Sequence, residues 1–257
     1  MMWNARGGTG HCTVVLLHGM GATAAAWEGV RQLLDARAMV RWLTVDLSGH
    51  GGSDWQQDYS VGQLAAALVP LWPEAGAVFV VGHSVGVYVA LALAGGGFGV
   101  RVRGVLGIGP KIAWPPADLA AAHELAARPL RWYPAEAEAV LRYRRVSGLS
   151  ADIAPAPQTL ARGIVRGADG WRLAQDPRTF AVAGASFGSL VASASASARL
   201  ALARGASDPM VTAEELRAHV GEAHTIANAG HNAHVEQPAA VVALLERLIH
   251  DCGSPDH

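Results

Sequence analysis

Residues 78–86 read V-F-V-V-G-H-S-V-G, and their reading decides the fold. A run of β-branched and aromatic residues stops at Gly82. Ser84 follows, Gly86 comes two positions later, and residues 87–94 are apolar without interruption. Strand, sharp turn and helix is the natural interpretation, with Ser84 at the apex. So tight a turn forces the serine into a strained backbone conformation and presses its neighbours onto adjacent strands, which asks for glycine at 82 and 86. It also lifts Oγ above the sheet and leaves the Val85 amide at a helix start, aimed where an oxyanion would form. G-x-S-x-G by itself also describes an ordinary βα turn whose serine caps the helix.

The chain has 257 residues, 51% of them hydrophobic, with a formal net charge of -1, so it can bury a large core. There is no basic surplus to suggest nucleic acid and no acidic tail. Cys12 and Cys252 sit near opposite ends and imply neither a metal site nor a disulfide framework. The N-terminus lacks a charged start followed by an apolar signal core, so a cytoplasmic protein is expected. Residues 75–100 carry no acidic or basic side chain apart from His83. The glycines in that stretch and its central His-Ser pair argue against a membrane span and for a buried parallel strand plus a buried helix.

Upstream, residues 12–17 (C-T-V-V-L-L) read as a central parallel strand running into His18-Gly19-Met20-Gly21. A glycine-flanked loop at the carboxyl end of such a strand faces ligand in α/β folds, which makes the Met20 amide a second candidate oxyanion donor. His18 reads as a packed support for that loop. Residues 24–36 read as a helix and 40–47 as a strand ending in D-L-S-G-H-G-G-S, where Asp46 and His50 are expected to hold the turn. Residues 59–72 are a helix stopped by Pro73.

H-G-M-G, D-L-S-G-H-G-G-S and G-H-S-V-G, in this order and spacing, resemble the α/β-hydrolase superfamily, and within it the small lid-bearing serine esterases, lipases and C–C bond hydrolases. The resemblance covers the first 110 residues or so. It implies a mainly parallel central sheet covered by helices on both faces, with a serine on the elbow, then an acid, then a histidine along the chain. It also implies an inserted helical lid. Residues 102–108 read as the next strand; from 111 to 198 the pattern is helical and punctuated by prolines, with no convincing buried strand. The expected organisation is a hydrolase core of residues 1–110 and 199–257 with a lid of residues 111–198. His83, Trp114, Trp132, Tyr143 and Trp171 are the residues expected to line an apolar substrate pocket. Arg128, Arg131, Arg142, Arg144 and Arg145 form either a solvated helix face or a hold for a substrate carboxylate or phosphate.

Residues 199–203 resume the sheet and run into G-A-S-D-P, where Asp208 matches the family's acid. The family's histidine follows a glycine in a stretch matched by G-H-N-A-H-V-E-Q-P, which puts the role on His231, with His234 as the alternative. The resemblance thus implies catalysis by Ser84, Asp208 and His231, with Met20 and Val85 amides as oxyanion hole. The substrate is expected to be a small molecule with an acyl or carbonyl group, and no cofactor or metal is called for; no H-E-x-x-H spacing is present. Ester cleavage is the leading expectation. C–C bond hydrolysis would use the same residues, and thioester hydrolysis would gain from the lid arginines; other classes on the same fold are a non-catalytic ligand receptor that kept the pocket and a cofactor-free lyase or oxygenase that depends mainly on His231. Oligomeric state leaves no signal in the sequence.

Overall fold

The computed structural model describes residues 1–253 apart from 150–152 and 154. The chain runs through β1 (Asn4–Gly8), β2 (Thr13–Leu17), a 3₁₀ turn (Ala24–Trp27) into α1 (Glu28–Arg37), β3 (Arg41–Val45), α2 (Val61–Leu68), β4 (Val78–His83), α3 (Val85–Ala94) and β5 (Gly104–Ile108). An insertion follows, made of α4 (Pro116–Ala127), α5 (Glu136–Val146), α6 (Pro157–Arg162), β6 (Ile164–Gly167), β7 (Gly170–Leu173) and a second 3₁₀ turn (Pro177–Val182). It returns through α7 (Phe187–Ser195) to β8 (Arg199–Gly205), α8 (Ala213–Arg217), β9 (Ala223–Ile226), α9 (Ala233–Glu236) and α10 (Pro238–Gly253).

Seven strands pair in the order β1-β3-β2-β4-β5-β8-β9, all parallel except the β1–β3 pair. β2, β4 and β5 are buried along their whole length, as continuous apolar runs must be when both faces of a sheet are covered. The two-residue period of a strand divides these runs between two cores. Val15, Leu17 and Val80 pack with Leu64, Val89 and Phe187 from α2, α3 and α7. Val14, Leu16 and Val81 pack with Leu34, Val242 and Leu245 from α1 and α10 on the other face. From β2 the chain crosses to β3 on one side and then returns to place β4 on the other. The crevice beyond the carboxyl ends of β2 and β4 is therefore a topological switch point, where open α/β sheets bind ligands.

The insertion departs from a purely helical segment. Ile164–Gly167 and Gly170–Leu173 form an antiparallel hairpin, and Trp171 pairs with Tyr133 beside it. Its strands are only four residues long, too short to produce a period in the sequence against the surrounding helical pattern. α7 packs its Phe187, Val191 and Ala194 into the same core as α3, so it belongs to the layer under the sheet. β1 likewise has no signal in the sequence. N-A-R-G-G has no strand propensity, and pairing with β3 imposes the extended form; a Cβ at Gly7 would run into the Trp42 ring.

The insertion is tied to the core at Asp46. This fully buried carboxylate accepts from the Ala24 and Gly52 amides at 2.7 and 2.9 Å and from Arg162 Nη2 at 2.6 Å, while the guanidinium lies 3.6 Å from the Trp3 ring centre. Leucine at 162 would leave the Asp46 charge buried with amide partners only. That change is expected to lower the unfolding free energy by about 2 kcal/mol, read from the urea midpoint at unchanged slope. A loss under about 0.5 kcal/mol would mean the pair contributes nothing.

Candidate active site

Ser84 joins β4 to α3 at φ 51° and ψ -115°, a left-handed backbone that side chains rarely adopt. Its amide donates to the Ile108 carbonyl at 2.9 Å, and its own carbonyl accepts from Val87 at 3.0 Å. A Cβ at Gly82 would collide with the Gly86 backbone, and one at Gly86 with the carbonyls of Leu17 and His18. The two glycines therefore let the turn close on itself and lean on β2. Gly19, after β2, has the same function from the opposite side: a Cβ there would lie 2.6 Å from His83 Nδ1 and 3.1 Å from Ser84 Cβ.

Asp208 sits in the turn after β8. Its carboxylate is buried, accepts from the Met210 amide at 2.8 Å, and holds His231 Nδ1 at 3.2 Å from both oxygens. Because a carboxylate only accepts, the His231 proton resides on Nδ1 and Nε2 is left as the basic nitrogen. Arg204 fixes the turn through the carbonyls of Asp208 and Val211. Gly109, at φ 56°, lets the end of β5 pass close by; a Cβ there would lie 2.9 Å from Asp208 Oδ2 and 3.2 Å from His231 Nδ1. Asn232 donates to the carbonyls of Ser147 and Gly148, fastening the histidine loop to the end of α5.

Ser84 and His231 line one cavity of about 1100 Å³ above the carboxyl ends of the strands, together with Met20, Val85, His83 and Trp114. Trp132, Tyr143 and Trp171 are not among its lining residues. Trp132 and Trp55 flank the Arg172 guanidinium, Trp171 pairs in the hairpin, and Tyr143 fills a separate core with Tyr133 and Ile164. Aromatic content in an insertion carries no direction, and these rings bury the insertion on itself. The lining also includes residues the sequence did not single out. Tyr88 stands four positions after Ser84 and so shares its helix face; Leu125, Phe180 and Val182 come from the insertion. Of the five clustered arginines only Arg145 reaches the cavity; Arg144 donates to the Ile153 carbonyl and Arg131 lies over the Tyr133 ring. Lys111 pairs with Asp118 and covers the Trp114 ring at the cavity edge.

Residues 14–244 match the model of the alpha/beta hydrolase family. The chain belongs to that family. An esterase of Mycobacterium tuberculosis, Rv0045c, is 42% identical over 85 residues, which is 32% of this chain and 27% of the relative, so the match spans about a quarter of that curated protein. Among solved structures, E-2-(acetamidomethylene)succinate hydrolase superposes with a TM-score of 0.77 over 97% of this chain and 95% of its own at 19% identity. A thioesterase domain from the curacin biosynthetic pathway gives 0.74 over 95% and 94% at 20% identity. These likenesses show the shared fold. Among the described residues no helix is long and apolar enough to cross a membrane.

Four other histidines of this hydrolase chain, at 18, 50, 83 and 234, lie buried around these loops. His18 Nδ1 donates to the Gly19 carbonyl at 2.8 Å while Nε2 accepts from the Leu47 amide at 2.9 Å. His50 Nε2 accepts from the Gly21 amide at 3.2 Å. His234 is fully buried between Trp27 and His83, with ring centres 4.5 and 4.2 Å away. His83, also buried, reaches the His231 carbonyl at 2.9 Å. Burial is the first cause that holds all four in the neutral form: His50 and His234 are pushed down to about 3, and His18 and His83 below the ordinary value.

Protons denied to the folded state are taken up on unfolding, so stability present above about pH 6.5 is lost as pH falls toward the folded values. Near pH 5 unfolding is expected to bind up to four protons at these histidines, a slope on the order of 5 kcal/mol per pH unit at most. Urea titrations across pH 5 to 7 measure it. Constant stability over that range would contradict the neutral assignment.

Proposed function

We propose that this chain is a serine hydrolase that cleaves a carboxylic ester or related acyl bond through Ser84, His231 and Asp208. The observation that carries the reading is the His231 Nδ1–Asp208 contact at 3.2 Å, in the wall of the same cavity as a serine on a strained elbow. A neutral serine is a poor nucleophile and needs an adjacent base. His231 Nε2 takes the Ser84 proton as Oγ attacks the acyl carbon, then delivers it to the leaving alcohol. Asp208 keeps the proton of the free enzyme on Nδ1 and stabilises the imidazolium that forms between the two transfers. Water activated by the same nitrogen then releases the acid and regenerates the serine.

The tetrahedral oxyanion is held by the Val85 and Met20 amides. The Val85 N–H is the first of α3, so it has no intrahelical acceptor and the helix dipole adds to it. Each donor is worth about 3 kcal/mol in the transition state. Residues 111–182, through α4, the end of α5 and the second 3₁₀ turn, form the lid that roofs the cavity and sets the substrate. α4 contributes Ala121, Ala122 and Leu125, which line the cavity together with Tyr88, Phe180 and Val182, an apolar lining that suits an extended or aryl acyl group over a polar one.

Two experiments test this. With p-nitrophenyl esters, Ser84→Ala and His231→Ala are each expected to lower kcat on the order of 10⁶-fold, and Asp208→Asn less, about 10⁴-fold. Near-normal turnover by Ser84→Ala would overturn the nucleophile assignment, and activity kept in His231→Ala but lost in His234→Ala would move the base. In an acetyl-to-dodecanoyl series, Ala122→Phe is expected to cut kcat/KM for the longer esters by about 10-fold or more while leaving the acetyl ester nearly unchanged. A uniform effect along the series would place the acyl chain elsewhere.

A further inference from the structure

His83 immediately precedes the proposed nucleophile, and the hydrogen bond from its ring crosses 148 residues of sequence to the backbone of the proposed base. The acceptor is the His231 carbonyl, so the ring nitrogen at 2.9 Å, Nε2, is the donor and His83 is the neutral Nε2–H tautomer. The two rings lie 4.7 Å apart at 57°. Behind His83 stands His234, and behind that Trp27, so a column of four rings runs from the cavity wall into the core. Gly19 closes on the other edge of His83, at its Nδ1.

The loop carrying His231 is fastened at several places. Ala229 is held through Ser207, Gly230 through Glu236 and Asn232 through the end of α5. Asp208 holds the ring of residue 231, and the bond to its backbone carbonyl comes from His83. The route from nucleophile to base is therefore one peptide unit, one imidazole and one hydrogen bond. Displacement of a reacting group by about 1 Å can lose on the order of 10²-fold in rate.

We propose that His83 is a positioning residue whose Nε2–H fixes His231 relative to Ser84 through the His231 carbonyl. This rests on the reading of Ser84 and His231 as nucleophile and base. A role in packing alone predicts the opposite order of two variants. Phenylalanine at 83 keeps a ring in the column and removes the donor; glutamine loses the ring and offers an amide N–H in its place.

His83→Phe is expected to lower kcat on p-nitrophenyl acetate by about 10²-fold with KM little changed, and His83→Gln to recover most of that loss. Full activity in His83→Phe, equal losses in both variants, or a larger loss in His83→Gln would each overturn the proposal. Ser84→Ala assayed alongside separates the two claims. If it abolishes turnover while the His83 variants keep theirs, only the positioning role fails; if it keeps turnover, the serine reading fails. A measurement on the unaltered protein needs no turnover at all: ¹⁵N shifts of the histidine rings should give His83 as neutral and protonated at Nε2 between pH 6 and 8. An Nδ1–H or doubly protonated His83 would refute the proposal whatever the variants do.

Discussion

Everything in the active region hangs on the backbone of Ser84, held at φ 51°. A non-glycine residue in that conformation costs on the order of 1–3 kcal/mol and persists only where its surroundings leave no alternative. Here they leave none. β4 is buried on both faces before the turn, α3 is buried on nearly all sides after it, and glycines at 82 and 86 let the two meet closer than any side chain would permit. Relaxing Ser84 would mean shifting an apolar helix in a packed core. Within this turn the strain is thereby confined to Ser84, the proposed nucleophile.

The same crowding explains the histidines. Five imidazoles, at 18, 50, 83, 231 and 234, surround the carboxyl ends of β2, β3 and β4, yet only His231 combines a carboxylate partner with a place at the cavity and some exposure. The others are buried, and burial keeps them neutral. A neutral imidazole offers one donor and one acceptor, which suits a loop that presents both an amide and a carbonyl, as His18 does between Leu47 and Gly19. Asp46 is charged and equally buried, and it is matched by two amides and Arg162. Tying α6 to the end of β3 through that carboxylate anchors the insertion on the same loops that support the elbow.

The elbow and the loop after β2 were legible in the sequence because each demands residue types that few other local structures demand, whereas Asp208 and His231 were picked out by the resemblance to the family's motifs. Gly82 and Gly86 are required by close approach, and Asp208 and His231 follow strands in the expected order. The central strands were legible as short apolar runs. What was hidden lacks such a demand. β1 exists only because β3 offers it an edge, and the hairpin of the insertion is too short to register as a period. Trp132, Tyr143 and Trp171 carry no mark of which side they face. The Tyr143 and Trp132 rings lie against Gly163 and Gly167, where a side chain would meet them.

If Ser84 is the nucleophile it becomes covalently acylated, and that species can be caught. The protein would be mixed with a slowly hydrolysed p-nitrophenyl ester, quenched in acid, and examined by intact mass and peptide mapping. A mass increase of one acyl group is expected, located on the peptide containing Ser84 and missing from Ser84→Ala. Steady turnover of the ester with no acyl group on that peptide, or with the acyl group on another residue, would contradict the nucleophile assignment.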